Sequence, residues 1–162
     1  FLPIFSQYYT VVSGGKELAN IQYRSNMQEG DLAELLEQSR YRDDILGYTT
    51  KGIHKDELEM FLGEYPLKKV ASQGQTKSFL VALKLAQFFF LKKSKGVTPI
   101  LLLDDIFDKL DSSRVGQIVN LVSGSEFGQI FITDTNREHL DLLLENVSGE
   151  KKVFYLEEGR IV

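Results

Sequence analysis

Two adjacent carboxylates, Asp104 and Asp105, directly follow the run Pro99–Leu103, which is apolar throughout. Such a run predicts a strand buried on both faces, as in parallel sheets covered by helices. At the carboxyl end of such a strand, one aspartate can hold Mg²⁺ on a nucleotide, and a second can orient a water for attack on phosphate. A strand that ends in a polar turn, with an aspartate capping the next helix, explains the same residues equally well.

A second polar group stands at the start of the longest predicted helix, which runs from about Ala71 to Lys93. Ser72 and Gln75 have the spacing of a capping box. Capping does not explain Gly74, because glycine inside a helix costs about 1 kcal/mol relative to alanine. A glycine there suits a ligand that approaches the backbone closely, and a helix N-terminus beside a serine hydroxyl suits phosphate. A phosphate site shortly before a magnesium-type strand is more specific than either feature alone.

These groups must be positioned by the second half of the chain, in which helices and strands alternate. Helices are predicted after caps at Asp111 or Ser112 and at Asn136. The predicted strands of this half are 100–103, 129–133 and 152–156. The alternation predicts an α/β fold with right-handed crossovers and a mainly parallel sheet flanked by helices.

The first half of the chain has a different pattern. Residues 1–12 predict the tail of a helix or an entry segment that packs on the core, and residues 17–25 predict a strand. Asp31 is placed to cap a helix that ends at Gly47. Two short runs on either side of Gly63 predict an antiparallel hairpin.

Composition excludes several classes of protein. The chain has no cysteine, so disulfides and thiolate metal sites are impossible, and the cytoplasm is the expected compartment. No apolar run reaches the roughly 20 residues that span a bilayer, and no membrane association is expected. The net charge of −4 argues against a DNA-binding surface over the whole domain, but it leaves room for a local basic patch.

In their order along the chain, the motifs resemble those of ABC-type ATPases. Residues 71–75 (ASQGQ) are similar to the signature motif, 101–105 (LLLDD) to the Walker B strand and 107–111 (FDKLD) to the D-loop. The segment 52–58 (GIHKDEL) and the double aspartate make RecF, a bacterial relative of the SMC and Rad50 ATPases, the nearest family. The resemblance implies the C-terminal half of an ABC-type P-loop ATPase head, with the antiparallel hairpin region in its N-terminal part.

The resemblance also implies roles for individual residues. Asp104 would bind Mg²⁺, Asp105 would orient the attacking water, and Asp111 of the D-loop would lie at a dimer interface near the nucleotide. The signature residues that would contact the γ-phosphate of ATP bound to a second subunit are Ser72, Gly74 and Gln75. Many ABC ATPases carry a switch histidine where this chain has Asp134, so Thr133 and Asp134 are the candidates for phosphate sensing.

RecF-like proteins bind DNA in an ATP-dependent way and work with RecR and RecO to load recombinase at gapped DNA. The resemblance therefore implies a part in DNA repair, recombination, replication restart and the SOS response. The implied cofactors are ATP and Mg²⁺, and the implied partners are single-stranded or gapped duplex DNA, RecR, RecO and a second copy in an ATP-dependent homodimer.

One required motif does not occur in the sequence. Near Gly15 and Lys16, Glu17 and Thr10 stand where a phosphate-binding loop of the form Gly-x-x-x-x-Gly-Lys-[Ser/Thr] needs Ser or Thr and its first Gly. We therefore expect the chain to be the C-terminal portion of a longer protein and to be inactive as an ATPase alone. Residues 1–47 would form the junction to a helical arm, and residues 48–162 the ATPase lobe.

Two alternatives to a hydrolysing RecF-like protein remain. One is another ABC-type head of the Rad50 or SMC kind. The other is a nucleotide-gated DNA clamp in which ATP drives dimerisation without hydrolysis. Because the side chain of Asp105 is one methylene shorter than the glutamate of transporter ATPases, we expect any hydrolysis by the complete protein to be slow.

Overall fold

The computed structural model describes residues 1–147 and 149–161, which form two compact units. One unit contains most of residues 1–16 together with the chain from Ser72 onward, and the other contains residues 17–71. The predicted boundary between residues 47 and 48 falls inside the second unit. As a division between an arm junction and an ATPase lobe, it stays a prediction.

The helices and strands follow one another in the mixed order expected of an α/β protein. In chain order they are α1 (Leu2–Val12), β1 (Ala19–Arg24), α2 (Leu32–Leu46), β2 (Glu57–Leu62), β3 (Tyr65–Pro66), α3 (Leu67–Val70), α4 (Gln73–Lys95), β4 (Leu101–Asp104), α5 (Ser112–Val122), β5 (Ile130–Thr133), α6 (Arg137–Asn146), β6 (Leu156–Glu157) and β7 (Arg160–Ile161). Within the described residues, no helix combines the length and apolar character needed to cross a membrane.

The unit of residues 17–71 is built on the antiparallel sheet β1–β2–β3. Ala19 pairs with Leu62, and the register continues along both strands. Helix α2 begins where the Asp31 carboxylate accepts the Ala33 N–H at 2.9 Å, and it ends at Gly47, whose φ of 74° is left-handed. The capped helix and the hairpin predicted for this half are both present.

The other unit has its core between a parallel strand pair and the helices around it. β4 and β5 pair in parallel and are joined through α5, so they form the predicted β–α–β crossover. Their inward side chains pack in one buried cluster with the apolar faces of α4 and α5. From α4, β4, the loop after it and α5, the cluster contains Val81, Leu85, Phe88, Leu101, Leu103, Ile106, Phe107, Val115, Ile118, Val119 and Val122. Helix α1 belongs to the same unit, and its Phe5 ring lies 4.7 Å from that of Phe79.

The prediction that the β4 strand is buried on both faces is wrong. Leu101 and Leu103 are buried, whereas Leu102 between them is 66% exposed and its neighbour on β5, Phe131, is 50% exposed. One face of the pair therefore packs on the helices, and the other is an open apolar face, which we define as Leu102 and Phe131. Parallel sheets are almost always covered on both faces.

The last predicted strand is also shorter than expected. Residues 152–155 have no strand pairing, and only Leu156–Glu157 pairs, antiparallel, with Arg160–Ile161. The turn between these strands contains Glu158 and Gly159, both with positive φ, as the predicted turn requires. The apolar residues of 152–155 gave the pattern of a strand, but pattern alone does not supply a pairing partner.

The two faces of β4 give a direct test of the packing. We expect Leu103→Ala to lower the free energy of unfolding by about 2–5 kcal/mol, because it leaves a cavity in the core. Leu102→Ala, one residue away on the open face, should cost less than about 1 kcal/mol. Urea denaturation of the 162-residue chain measures both. Equal losses for the two variants would contradict the one-sided burial.

Candidate functional site

The start of α4 is closed by the predicted capping box. The Ser72 hydroxyl accepts the Gln75 N–H at 3.2 Å, and the Gln75 side-chain oxygen accepts the Ser72 N–H at 2.8 Å. By helix geometry, the N–H groups of Gln73 and Gly74 have no carbonyl one turn earlier in α4 to bond. The helix start therefore points backbone donors and the positive end of its dipole toward solvent.

The structure gives a reason for glycine at position 74 that sequence analysis missed. A Cβ atom at this position would lie 3.2 Å from the backbone oxygen of Lys109. The close approach predicted for Gly74 is real, but the approaching group in this structure is a carbonyl of the same chain. Glycine lets the loop after β4 pack directly on the first turn of α4, where a side chain would push the carbonyl away by a few tenths of an ångström.

Asp104 and Thr133 end the paired strands side by side. They are register partners, and both are exposed on the same side of the pair as the open apolar face. The Thr133 hydroxyl donates a hydrogen bond to the Asp104 carboxylate. The predicted metal ligand and the first predicted phosphate sensor are therefore in direct contact.

Asp105 begins the segment Asp105–Asp111, which we call the acidic loop. The Asp105 N–H donates to two oxygens of Thr133, the carbonyl oxygen at 3.0 Å and the hydroxyl at 3.2 Å. Its φ of 48° is left-handed, a conformation that aspartate tolerates better than most side chains. The Lys77 ammonium on α4 donates to the Asp105 carbonyl at 2.6 Å, so both backbone polar groups of Asp105 are bonded.

Asp111 closes the acidic loop and caps α5. Its carboxylate accepts the Arg114 backbone N–H at 3.0 Å and the Arg114 Nε at 3.2 Å. The backbone hydrogen bond from Arg114 is the main cause that lowers the pKa of Asp111, with the Arg114 charge as a further cause. The position that sequence analysis assigned to a dimer interface thus already serves as a helix cap within its own chain.

A buried serine joins Arg114 to α4. Another guanidinium nitrogen, Nη1, of Arg114 donates to the Ser78 hydroxyl at 2.7 Å, and that hydroxyl donates to the Gly74 carbonyl at 2.8 Å. Ser78 is fully buried, so the chain of contacts from the exposed Asp111 to Gly74 passes through the interior of the unit. Sequence analysis missed Lys77, Ser78 and Arg114. Lys77 carried only a weak signal, as a cation near the start of a largely buried helix.

Asp134 has a local role in the turn after β5. Its carboxylate accepts the Asn136 N–H at 2.6 Å, and the Asn136 side chain in turn accepts the Glu138 N–H at 2.9 Å at the start of α6. The predicted cap at Asn136 is therefore present. A part for Asp134 in phosphate sensing stays a prediction.

The donor set at the strand ends fits Mg²⁺ bound with a nucleotide. Magnesium takes oxygen ligands and is commonly held by one or two carboxylates together with substrate phosphates. The exposed Asp104 carboxylate, with Asp105 next to it and the Thr133 hydroxyl in contact, supplies such oxygens. In the described part of the chain, no group of three or more His, Cys, Asp or Glu side chains is arranged to hold a metal.

The segment 52–58 lies in the other unit and is organised by its own contacts. Gly52 has a φ of 124°, and the His54 ring occupies the space beside its Cα. The His54 Nε2 bonds the Thr49 carbonyl oxygen at 3.0 Å, and the Lys55 ammonium lies 4.9 Å from the centre of the Tyr48 ring. These contacts explain the segment as a local turn.

Comparison with known proteins confirms the resemblance to RecF. The chain is 58% identical over 161 residues to the DNA replication and repair protein RecF of Bacteroides thetaiotaomicron, and 57% identical to that of Bacteroides fragilis. Each match covers 99% of this chain and 44% of the relative, so the chain spans less than half the length of these relatives. No protein-family model matches the sequence.

Solved structures show the same fold at low sequence identity. A structure described as the recombination mediator protein RecF-ATPrS in the RecFOR pathway matches with a TM-score of 0.69 at 22% identity, covering 98% of this chain and 42% of the other. An SMC ATPase structure matches with a TM-score of 0.57 at 17% identity, covering 99% of this chain and 80% of the other. The predicted α/β fold, that of part of a RecF or SMC head, is confirmed, and the described sheets are both parallel and antiparallel.

The cap at Asp111 has a pH-dependent effect on stability. At pH 7, we expect Asp111→Ala to lower the free energy of unfolding by about 1 kcal/mol, the usual value of an N-cap. Because the folded-state pKa of Asp111 is lowered, its contribution is present above the unfolded pKa and is lost as pH falls through the folded value. The difference from wild type should therefore narrow below about pH 4.

Urea unfolding between neutral and acidic pH measures this difference. Asp108→Ala is the matched control, because Asp108 lies in the same loop at an ion-pair distance of 3.7 Å from Lys109 and caps no helix. Its effect should be small at every pH. A loss at Asp111 that is the same in neutral and acidic solution would contradict the charged cap.

Proposed function

We propose that this RecF-type chain supplies the signature and Walker B part of an ATP sandwich in a DNA-repair protein. The observation that carries the proposal is the cluster of Asp104, Asp105 and Thr133 at the carboxyl ends of β4 and β5, together with the capped start of α4. Nucleotides bind at this edge of parallel sheets. The identity to RecF proteins over nearly the whole chain supports the same reading.

Each residue of the cluster has a proposed role. Asp104 would hold Mg²⁺, which neutralises developing charge on the phosphates when bound. Asp105 would accept a hydrogen bond from the attacking water and orient it. Thr133, which bonds both acidic residues, would respond to the γ-phosphate next to them, and Asp134 is the second sensing candidate.

The start of α4 would act on a nucleotide bound by a second subunit. The N–H groups of its first turn and the Ser72 hydroxyl would face the γ-phosphate, with Gly74 and Gln75 completing the surface. Asp111 would lie close to that nucleotide at the dimer interface. The structure described as RecF-ATP in the RecFOR pathway and the structure described as ATP-driven dimerisation of SMC ATPases support this arrangement.

The missing phosphate loop would come from the rest of the protein. The open apolar face continues directly into the exposed side chains of Asp104 and Thr133. A layer that covered Leu102 and Phe131 would therefore also reach the acidic cluster. The length of the relatives beyond this chain provides the sequence for such a layer.

The biological role follows from the relatives. They are named DNA replication and repair proteins, and one structure is described as a recombination mediator of the RecFOR pathway. For the whole protein, we propose ATP-dependent binding to gapped or single-stranded DNA. RecR and RecO would be its partners, and the cytoplasm its compartment. A clamp that binds ATP without hydrolysis is the second candidate, favoured by the short side chain of Asp105.

Ser72→Asp separates a phosphate site from a simple helix cap. Aspartate caps helices about as well as serine, so the free energy of unfolding should change by less than about 0.5 kcal/mol. Its negative charge would repel the γ-phosphate of the partner's ATP. We expect the complete protein with this substitution to bind ATP but to remain monomeric in sedimentation velocity.

Ser72→Thr is the control, because it keeps both the hydroxyl and the cap and should dimerise with ATP like wild type. If Ser72→Asp also dimerises like wild type, Ser72 and Gln75 form only a capping box. The ATP-sandwich proposal for this helix would then be withdrawn.

Asp105→Asn distinguishes the hydrolysing protein from the clamp. Asparagine keeps the size and the left-handed backbone of Asp105 but removes the charge that orients water. In the complete protein, we expect ATP-dependent dimerisation to persist while the steady-state hydrolysis rate falls by about a hundredfold or more. The 162-residue chain alone should show no hydrolysis.

The experiment measures phosphate release and dimerisation in wild type and in Asp105→Asn. An unchanged slow rate in Asp105→Asn would favour the clamp. Magnesium-dependent hydrolysis by the isolated chain, lost on Asp105→Asn, would contradict the proposed need for a phosphate loop from elsewhere.

A further inference from the structure

We infer that Lys77 and Arg114 are positioning residues that bind the start of α4 to the acidic loop, so that both segments move as one unit. The inference rests on the proposed function, in which the two segments of one chain face different nucleotides. A change at one nucleotide would then be transmitted to the other through this chain's own contacts.

The first connection is made by Lys77. Its ammonium donates to the Asp105 carbonyl at 2.6 Å, a short hydrogen bond whose donor is charged, and charged donors make stronger hydrogen bonds than neutral ones. On its other side, Asp105 is held by Thr133. Because the left-handed φ of 48° is less favourable than the extended or helical regions, these bonds are needed to maintain it. The direction of the Asp105 side chain is fixed by that backbone.

The second connection is steric. The Lys109 carbonyl packs against Gly74 so closely that a Cβ atom would meet it at 3.2 Å. Lys109 also has a left-handed φ, of 61°, which orients its backbone within the loop. A side chain at position 74 would push the Lys109 carbonyl away by a few tenths of an ångström, so the close contact of the two segments depends on the glycine.

The third connection passes through Ser78. Arg114 donates to the Ser78 hydroxyl at 2.7 Å and to the Asp111 carboxylate at 3.2 Å. It therefore links the end of the acidic loop to α4. Only 14% of its side chain is exposed, so its bond to the buried Ser78 is shielded from water, whereas the Asp111 carboxylate at the other end is exposed. Removing the guanidinium would leave the Ser78 hydroxyl bonded only to the Gly74 carbonyl and the Asp111 carboxylate bonded only to backbone N–H groups, so the link between them would be lost.

The core holds the middle of the acidic loop. Ile106 and Phe107 are buried in the same cluster as the inner face of α4. The loop is thus fixed at its apolar centre, and its two polar ends are tied to α4 through Lys77 and Arg114. Displacement of the helix start by a phosphate would act on Asp105 through Lys77 before it disturbed the core.

Lys77→Met in the complete protein tests this inference, because methionine keeps the apolar length of the side chain and removes the donor. We expect ATP-dependent dimerisation and the KM for ATP to stay within about twofold of wild type, while kcat falls by about tenfold or more. Lys77→Arg, which can still donate to the carbonyl, should restore most of kcat. Lys84→Met, at an exposed position two turns further along α4, is the matched control and should behave like wild type.

Hydrogen exchange without nucleotide is the second measurement. In Lys77→Met, the amides of residues 105–111 should exchange about tenfold faster than in wild type, with no change in Lys84→Met. Unchanged exchange and unchanged kcat would overturn the inference. A loss of dimerisation or thermal stability that matched the loss of kcat would also overturn it, because Lys77 would then be only structural.

The two proposals fail in different ways. If the wild-type protein neither dimerises with ATP nor hydrolyses it, the proposed function is contradicted. In that case the exchange measurement still decides whether Lys77 holds the acidic loop. If the wild-type protein dimerises and hydrolyses ATP, and Lys77→Met has the same kcat and the same hydrogen exchange, only the inference is contradicted.

Discussion

The site depends on one hydrogen bond beyond the end of β4. The Asp105 N–H bonds the Thr133 carbonyl, which extends the parallel ladder by one residue past the Asp104 pair. That bond brings both acidic residues to Thr133, and the left-handed turn at Asp105 then directs Ile106 and Phe107 into the core. The bond therefore joins the strand end, where Asp104 is the proposed metal ligand, to the start of the acidic loop.

Much of the architecture follows from local rules, which is why the sequence predicted it. The caps at Asp31, Ser72, Asp111 and Asn136 each bind an N–H two or three residues ahead, so residue type and spacing are sufficient to locate them. The parallel crossover follows from the alternation of elements in the second half. The order of the motifs also predicted the strand end that carries the acidic cluster.

What the sequence did not reveal depends on contacts between distant residues. Lys77 meets Asp105 across 28 positions and Arg114 meets Ser78 across 36, and neither pair has a spacing rule. Gly74 was correctly predicted to be a point of close approach, but the Lys109 carbonyl that packs there could not be predicted, because a missing side chain says nothing about what fills the space. The apolar run 101–103 likewise could not indicate whether its second covering layer lies in the same stretch of chain.

The open apolar face determines how this chain behaves in solution as well as how it could be completed. Leu102 and Phe131 expose apolar surface on one face of the strand pair, and exposed apolar surface promotes contact between copies of a protein. Self-association of the isolated chain should therefore increase with its concentration. Association through this face is chemically distinct from an ATP-dependent dimer, since it requires no nucleotide and is driven by hydrophobic burial. The two forms would respond oppositely to added salt, because salting-out strengthens apolar contact while ionic screening weakens phosphate binding.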